Sequence, residues 1–516
     1  LKRHRCARAP PLVFTRHLAM ADVKVRVGKA IVALCKDLEE GAGEVPKLYR
    51  TADQSFGQNQ PDKGFSSALQ ALGLLAHTKA SELMSAGASL SKESVNRAEV
   101  LSKEAAKVTS ESGDKAGEAL ALGVVTDVYI LGGETSKALK TAQASASLYR
   151  RLDDKPGEAS VLTSITTAHL VKATAGFNPQ LEMADKADEK VEQMRQQREV
   201  EIELAMEAAK EIVTIYRSMG DRKGEAKALD KVAEIHLLKE EPEQSKAVAR
   251  EERSLYQEIR DVRGEAAALQ SIINANLHSE DDYDDALIAA KDMVKLFRGR
   301  DRKTDDDDKK GTADSLQSLA KVLLQKFDLA EALESGEEAM KLYSEIGNKK
   351  DSAPCCHTLA QIHLSMMKPS EAIKCARQAV EDYRESGDRL AEANALHDLA
   401  VMDMEDLLSE VEKDPKSFSK AHADRLNAAW KPLEESLALY RELKHQDGEY
   451  YVTETFNNVI ERSRQIHIRV AEPIKTIYIT DPNTRQTSAL HIFDTNITDV
   501  GPEEEDDEGA AELADE

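Results

Sequence analysis

The chain has 516 residues, of which 32% are charged and 4% aromatic, and its formal net charge is −24. This length exceeds what one ordinary hydrophobic core organises, so several domains or one extended repeat array are expected. The low aromatic content favours closely packed helices over a sheet protein. The acidic surface argues against a general role in binding nucleic acid, which needs clustered Lys and Arg.

The cysteine and hydropathy patterns indicate which cellular locations are expected. The cysteines form no CxxC pair and no regular framework, which favours a reducing compartment; they are Cys6, Cys35, Cys355, Cys356 and Cys375. No run of about 18 apolar residues occurs in the sequence, so no membrane span is predicted. A cytoplasmic location is expected, with association with the cytoskeleton as a further option.

Residues 1–20 form a basic leader without a single acidic residue; its basic residues are Lys2, Arg3, Arg5, Arg8 and Arg16. Organelle-targeting peptides share this charge pattern, but they are also Ser-rich and amphipathic. We interpret residues 1–19 as translated upstream sequence ahead of Met20 and outside the fold, with a targeting peptide as the alternative. Residues 21–97 are predicted as an irregular helical region. Within it, Tyr49 and Gly64 resemble a worn copy of the repeat described next, with an insertion at Gly57–Pro61.

A repeated phrase organises residues 98–464, in which an aromatic residue lies eight residues before Gly-Glu-Ala. Tyr216 precedes Gly224 in this way, and Tyr256 precedes Gly264 after a period of 40 residues. Gly and Asp just before the phrase predict a helix end, a tight turn and a new helix start. Each copy is therefore predicted as two antiparallel helices that must stack on neighbouring copies to bury their apolar stripe. The anchors of the other copies are Thr109, Tyr149, Phe297, Tyr343, Tyr383 and Tyr440. Among these copies, Thr109 replaces the aromatic residue, Asp351 and Ala391 replace the glycine after Tyr343 and Tyr383, and an acidic loop separates Phe297 from Gly311.

Three insertions interrupt the period, near residues 177–200, 301–310 and 405–431. Asn178-Pro179 in the first insertion predicts a helix end, followed by one long helix over Leu181–Ser218. The second insertion is predicted as a solvated acidic loop around Asp305–Lys309. The third contains Trp430, the only tryptophan of the chain.

The pattern changes after the array. Residues 465–500 alternate apolar and polar side chains, which predicts a small β-hairpin with strands near Thr476–Thr480 and Ala489–Phe493. A third alternating segment is Ile466–Val470. Residues 501–516 form an acidic tail that is predicted to be disordered.

The repeats resemble the tetratricopeptide repeat (TPR). The matching residues in two copies are Leu316, Leu319, Ala320, Leu323, Ala332 and Ala339, then Leu359, Ala360, His363, Ala372 and Ala379. The 40-residue period is similar to the long-repeat subclass, which includes the Leu-Gly-Asn adaptors and the kinesin light chains. The Asn-rich inner motif of those adaptors is absent here. The resemblance implies an all-α fold, namely a TPR-like superhelix, or α-solenoid, of about eight helical hairpins.

The resemblance also implies a binding surface, because in that family the first helices of the hairpins line a concave groove that holds peptides. Amide side chains there can pair with a peptide backbone as donors and as acceptors. A merely solvated inner face is the alternative interpretation. The matching groove residues here are Lys227, Lys231, Gln270, Asn274, Gln317, Lys321, His357, Gln361, Asn394 and His397.

A cluster of soft ligands is the remaining chemical candidate; it contains Cys355, Cys356, His357, His363 and Cys375. It lacks the CxxC or HxxxH frame that a zinc site needs, and part of it falls on the packing stripe, so core packing is expected. No nucleotide-binding, GxSxG or HExxH motif occurs in the sequence.

We therefore predict a non-enzymatic scaffold or adaptor that binds a peptide or helix of a protein partner in the groove. A structural component of a cytoskeletal or motor assembly is the alternative, and a metal or redox protein is a remote one. No cofactor, metal or nucleic-acid partner is predicted.

Overall fold

The computed structural model describes residues 12–38, 44–86, 92–174, 189–279, 283–298, 306–413, 419–443, 445–465, 473–480 and 487–493. The chain divides into two compact units, with the boundary between Glu280 and Asp281. The repeat period continues through this boundary, since Tyr256 and Phe297 are 41 residues apart.

The first unit consists of helices in its described part. They are α1 (Leu12–Leu38), α2 (Glu44–Gly57), α3 (Pro61–Ala86), α4 (Lys92–Ser112), α5 (Lys115–Leu131), α6 (Thr135–Leu152), α7 (Lys155–Thr174), α8 (Glu189–Met219), α9 (Arg222–Leu238), α10 (Pro242–Ile259) and α11 (Val262–Ser279). Each helix from α4 onwards packs against the next one. In addition, α3 packs along α5, α5 along α7, and α9 along α11, so the first helices of the hairpins share one face.

The second unit repeats this arrangement and ends in a hairpin. Its elements are α12 (Asp284–Arg298), α13 (Asp306–Gln325), α14 (Leu329–Ile346), α15 (Lys349–Ser365), α16 (Pro369–Ser386), α17 (Arg389–Lys413), α18 (Lys420–Leu443), α19 (Gln446–Gln465), β1 (Pro473–Thr480) and β2 (Thr487–Phe493). Successive helices pack together, and α13 also packs along α15 and α17 along α19. The predicted all-α solenoid of stacked hairpins is confirmed.

The predicted β-hairpin is present as an antiparallel pair in which Thr476 lies opposite His491. Strand β2 lies beside α19. The third alternating segment, 466–470, and residues 481–486 between the two strands lie outside the described residues.

The eight-residue spacing from the aromatic residue to the glycine has a steric cause. The aromatic ring at the end of one hairpin covers the glycine in the first turn of the next helix. A Cβ atom added at Gly264 would lie less than 3.0 Å from the ring of Tyr256, which is buried. A side chain at Gly264 would displace the ring, so this position requires glycine because of the close approach. The same contact recurs at Gly64, Gly157, Gly224, Gly311 and Gly448. The Tyr343 and Tyr383 copies have Asp351 and Ala391 at the matching position.

The acidic residue between the ring and the glycine caps the new helix. The Asp221 carboxylate accepts a hydrogen bond from the Gly224 N–H at 3.0 Å, which satisfies one of the unpaired donors of the first turn. Gly220, just before it, ends α8 with a positive φ of 70°, as expected for a left-handed helix end. Equivalent caps are made by Asp114, Asp154, Asp261 and Asp388.

At the Tyr216 and Tyr383 junctions, an arginine and a buried glutamate join the junction to the next hairpin. Arg217 donates to Glu225 at 2.7 Å and to Glu251, on the second helix of the next hairpin, at 2.9 Å. Arg384 of the second unit bonds Glu392 at 2.7 Å and Glu435 at 3.0 Å in the same way. Because each arginine contacts two elements of its neighbour, the interaction fixes the stacking as well as the local turn.

The structure corrects the prediction for residues 21–97. Phe56, not Tyr49, covers Gly64, so the eight-residue spacing is intact and the predicted insertion at Gly57–Pro61 is absent. The sequence analysis missed this copy of the repeat because its anchor is a phenylalanine, whereas most other copies have tyrosine.

The described residues cover the predicted insertions only in part. Residues 175–188 lie outside the described part, so the start predicted at Leu181 is not described, and α8 covers Glu189–Met219. The prediction of a loop around Asp305–Lys309 is wrong from Asp306 onwards, because α13 begins at that residue. The helix dipole favours carboxylates in the first turn of a helix. Much of the segment 405–431 is helical, since it lengthens α17 to 25 residues and α18 to 24.

Candidate functional site

The first helices of the hairpins present equivalent side chains on one face, which we call the inner face. Its positions lie three, six, seven and ten residues after the residue that opens the phrase. After Gly117 they are Leu120, Gly123, Val124 and Asp127. The same spacing after Gly224 gives Lys227 and Lys231, which the sequence had already singled out.

The inner face of the first unit contains a cleft of about 510 Å³. Helices α3, α5 and α7 supply most of its walls, with single residues from α2, α6, α8 and α9. Its lining residues are Leu48, Gln70, Gly73, Leu74, His77, Leu120, Gly123, Val124, Asp127, Tyr149, Ser160, Val161, Thr163, Ser164, Tyr216 and Lys227. All inner-face positions of α5 lie on the cleft, so its place follows from the repeat geometry.

Small side chains keep the cleft open. Gly73 and Gly123 lie in neighbouring helix walls, and the residues of α7 that line it are mostly hydroxylic. A Cβ at Gly123 would make an ordinary contact of 3.5 Å with Val161. The glycine is therefore not demanded by packing, and its effect is to leave volume on the inner face.

One wall of the cleft carries a buried carboxylate. Asp127 is 7% exposed, and its Oδ1 atom accepts a hydrogen bond from the Ser164 hydroxyl at 2.6 Å. The Nδ1 atom of His77 lies 3.8 Å from the same oxygen, beyond hydrogen-bond distance. These three residues come from α3, α5 and α7, so helix packing alone brings them together.

Two tyrosines and a lysine complete the site. Tyr149 and Tyr216 cover the glycines of their own junctions and also line the cleft. Burial, assisted by the charge of Asp154, raises the pKa of Tyr149 to about 12, so its hydroxyl stays protonated. Lys227 is exposed and is the one residue of the predicted groove that lines this cleft.

The other predicted groove residues of the first unit are paired within the protein. Lys231 donates to Glu234 at 2.6 Å; its desolvation is outweighed by Glu234 and Asp230, so its pKa is raised. Gln270 donates to the Asn274 side-chain oxygen at 2.9 Å on the same helix. These side chains lie on the inner face of α9 and α11, where part of their hydrogen-bonding capacity is already used.

The predicted residues of the second unit are likewise engaged. His357 and Gln361 bond each other at 2.9 Å. The side-chain oxygen of Gln317 accepts from the Tyr343 hydroxyl at 3.0 Å, and that of Asn394 accepts from Tyr440 at 2.5 Å. His397 bonds Thr455 at 2.8 Å.

Lys321 is also part of this inner face. Its side chain is exposed, yet surrounding protein desolvates the ammonium group and lowers its pKa. A lysine with a lowered pKa holds its charge less firmly than one in water.

The cysteine cluster packs in the core. Cys355 and Cys356 are buried; the Cys355 thiol donates to the Gly336 carbonyl at 3.5 Å and Cys356 contacts the Met340 sulfur at 3.7 Å. Burial raises the pKa of Cys355 to about 12, which suppresses the reactive thiolate. Within the part of the chain that the structure describes, no three His, Cys, Asp or Glu side chains are grouped so as to hold a metal ion.

Sequence reasoning missed the cleft. The predicted groove begins at Lys227, although the same three, six, seven and ten spacing after Gly117 and Gly157 identifies the residues of α5 and α7. This periodicity in the sequence could have identified the cleft. Among the described helices, none has the length and apolarity that crossing a bilayer requires.

The fold defines a TPR-type helical repeat protein. Residues 312–346, which cover most of α13 and all of α14, match a family model described as Tetratricopeptide repeat. No curated protein sequence matches the chain.

Three solved structures resemble parts of the chain. BtubC (BKLC) from P. vanneervenii is 11% identical with a TM-score of 0.36, over 49% of this chain and 92% of that one. A Signal Transduction ATPase with Numerous Domains that has a TPR sensor, from Pyrococcus horikoshii, is 11% identical with a TM-score of 0.32, over 82% and 74%. A Rap protein complexed with Competence and Sporulation Factor is 14% identical with a TM-score of 0.36, over 76% and 99%. At these scores none of them carries an argument about function.

Proposed function

We propose that this chain is a non-enzymatic scaffold that binds a peptide or helix of a protein partner on its inner face. The observation that carries the proposal is the cleft of about 510 Å³ on the first unit. Its volume falls within the range of roughly 300–1,000 Å³ that is typical of ligand pockets. The cleft combines apolar walls with a few polar groups, which is the usual composition of a recognition site.

We further propose that the ten predicted groove residues extend this surface along the inner face of each unit. Eight of them are hydrogen-bonded within the protein. These bonds hold the side chains in place before a partner arrives, which lowers the entropy lost on binding. The 40-residue period and the aromatic–glycine junction support assignment to the long-repeat TPR subclass.

A steric block of the cleft tests the proposal. Gly123→Leu places a branched side chain where Gly123 leaves volume, and Gly123→Ala adds only a methyl group that makes ordinary contacts. We expect proteins that the full chain captures from its native lysate, identified by mass spectrometry, to be lost with Gly123→Leu and retained with Gly123→Ala.

A second variant set separates the cleft from the rest of the inner face. The triple change Gln270→Ala, Gln317→Ala and Gln361→Ala removes polar groups without filling the cleft. Partners retained by both Gly123→Leu and the triple variant would contradict inner-face binding. That result would favour the structural role in a cytoskeletal or motor assembly, which depends on other surfaces.

A further inference from the structure

Most of the buried carboxylates in the described part of this protein have a cationic partner. Of the eight carboxylate residues buried in the described part of the chain, five pair with an Arg or Lys. The pattern follows from physics, because an ionised carboxylate taken out of water is stable only when it is paired and hydrogen-bonded. The three that form no ion pair with Arg or Lys among these residues are Asp127, Glu252 and Asp382.

Asp127 differs from the other two because it lines the cleft. Glu252 is 0% exposed within the packed helices, and neither of its oxygens has a hydrogen-bond partner in the described residues. Asp382 is satisfied by the Ser352 hydroxyl at 2.6 Å and the Gln378 amide at 3.0 Å. Asp127 receives one hydroxyl donor and borders a volume that a ligand can enter.

The remaining walls suit the stem of a long basic side chain. Leu74, Leu120 and Val124 line the cleft together with Asp127. Lys and Arg side chains bury their methylene stems along apolar surface while their charged end seeks an acceptor. The Nδ1 atom of His77 lies 3.8 Å from the Asp127 carboxylate, and no charged side chain among the described residues donates a hydrogen bond to it.

We propose that the cleft receives a Lys or Arg side chain of the partner peptide, with its cationic group on Asp127 and its stem against the apolar wall. This inference rests on the proposed function and adds the chemistry that selects the partner. Lys227 lines the same cleft, so a second basic residue beside the anchor is disfavoured by like-charge repulsion.

Fluorescein-labelled peptide pools test the proposal with the full chain. Each pool has one fixed central residue, namely Lys, Arg, norleucine or Glu, and flanking positions mixed from Ala, Leu, Ser and Asp. Fluorescence anisotropy is expected to show the Lys and Arg pools binding at least about tenfold more tightly than the norleucine pool, because the cation meets a desolvated carboxylate. The Glu pool is expected to bind most weakly.

Asp127→Asn is the decisive variant, since asparagine keeps an oxygen for the Ser164 hydroxyl while removing the charge. We expect it to abolish the preference, so that the basic pools bind no more tightly than the norleucine pool. The matched control is Asp382→Asn in the second unit, which should retain the preference. Should Asp127→Asn fail to fold, Thr163→Lys supplies an ammonium group inside the cleft and should also abolish the preference, whereas Thr163→Met should not.

The outcomes separate this inference from the function on which it rests. Equal binding of all pools, binding of none, or an unchanged preference in Asp127→Asn overturns the cationic anchor. If Gly123→Leu still releases the captured partner in that case, inner-face binding stands and only the anchor chemistry is wrong. If neither Gly123→Leu nor the triple glutamine variant loses the captured partner, the proposed function fails as well.

Discussion

The two units share their junctions but differ on their inner faces. Both place an aromatic ring over a glycine and join an arginine to a buried glutamate. On the inner face, α5 and α7 carry mostly small or apolar side chains and leave a cleft. The matching positions in the second unit, and those of α9 and α11 in the first, hold polar side chains, and several of these are hydrogen-bonded within the protein. The junction therefore determines how the hairpins stack. The inner-face residues differ from one repeat to the next, and their size determines where a cleft remains.

The largest expected effect concerns Glu252, a buried acid of the first unit. The residue four before the aromatic anchor is Glu252 in α10, whereas the second unit has Met293, Ala339 and Ala379 there. Burial, with the charge of Asp230, raises the pKa of Glu252 from 4.5 to about 8. The folded state thus keeps a proton that the unfolded chain loses, so the contribution of Glu252 to stability is fully present below pH 4.5 and is lost as the pH rises to about 8.

We expect Glu252→Met to stabilise the protein increasingly between those pH values, by about 1.4 kcal/mol for each pH unit. Urea unfolding followed by circular dichroism at several pH values measures the difference. A benefit that does not change with pH would show that Glu252 stays ionised in the folded state, and that the first unit tolerates the charge.

The next largest effect is expected at the junction. Since both units contain the aromatic–glycine contact, we expect it to contribute similarly to the stability of each. Gly264→Ala and Gly448→Ala each put a Cβ atom less than 3.0 Å from a buried tyrosine ring. Overpacking of this kind costs about 1–3 kcal/mol of unfolding free energy. Gly123→Ala is the control and should be neutral or stabilising by up to about 1 kcal/mol, because it adds helix propensity without a clash. Loss of stability in only one unit would show that the aromatic–glycine junction does not have the same role in both.

The smallest effect is expected at the turn between the two helices of a hairpin. Phe327 and Met367 of the second unit have φ values of 60° and 59° and are 78% and 87% exposed, whereas the first unit has Gly133 at the matching turn after α5. A left-handed conformation is unfavourable for such residues by about 1 kcal/mol, and asparagine tolerates it better. Phe327→Asn and Met367→Asn should therefore raise the thermal midpoint slightly. A lower midpoint would mean that these exposed side chains make stabilising contacts.

The sequence predicted the fold because the aromatic–glycine contact needs a fixed spacing, and that spacing is visible in the residue order. It was misleading where the anchor was Phe56 and where Asp306 begins a helix. The cleft was harder to predict, because the search for a site followed polar residues. Gly123 and Val124 contribute to the cleft through their small size, which leaves volume and produces no polar motif in the sequence. The pairing of Gln270 with Asn274 depends on side-chain conformations that spacing alone does not determine.

The lengthened helices α17 and α18 give the protein a built-in optical reporter. Trp430, the only tryptophan of the chain, is buried on α18 and stacks on Phe456 of α19 with ring centroids 4.9 Å apart. Intrinsic tryptophan emission therefore monitors the last helices of the second unit, while far-ultraviolet circular dichroism monitors all helices. Unfolding curves from the two signals would coincide if the array melts as one cooperative body and separate if the units melt independently.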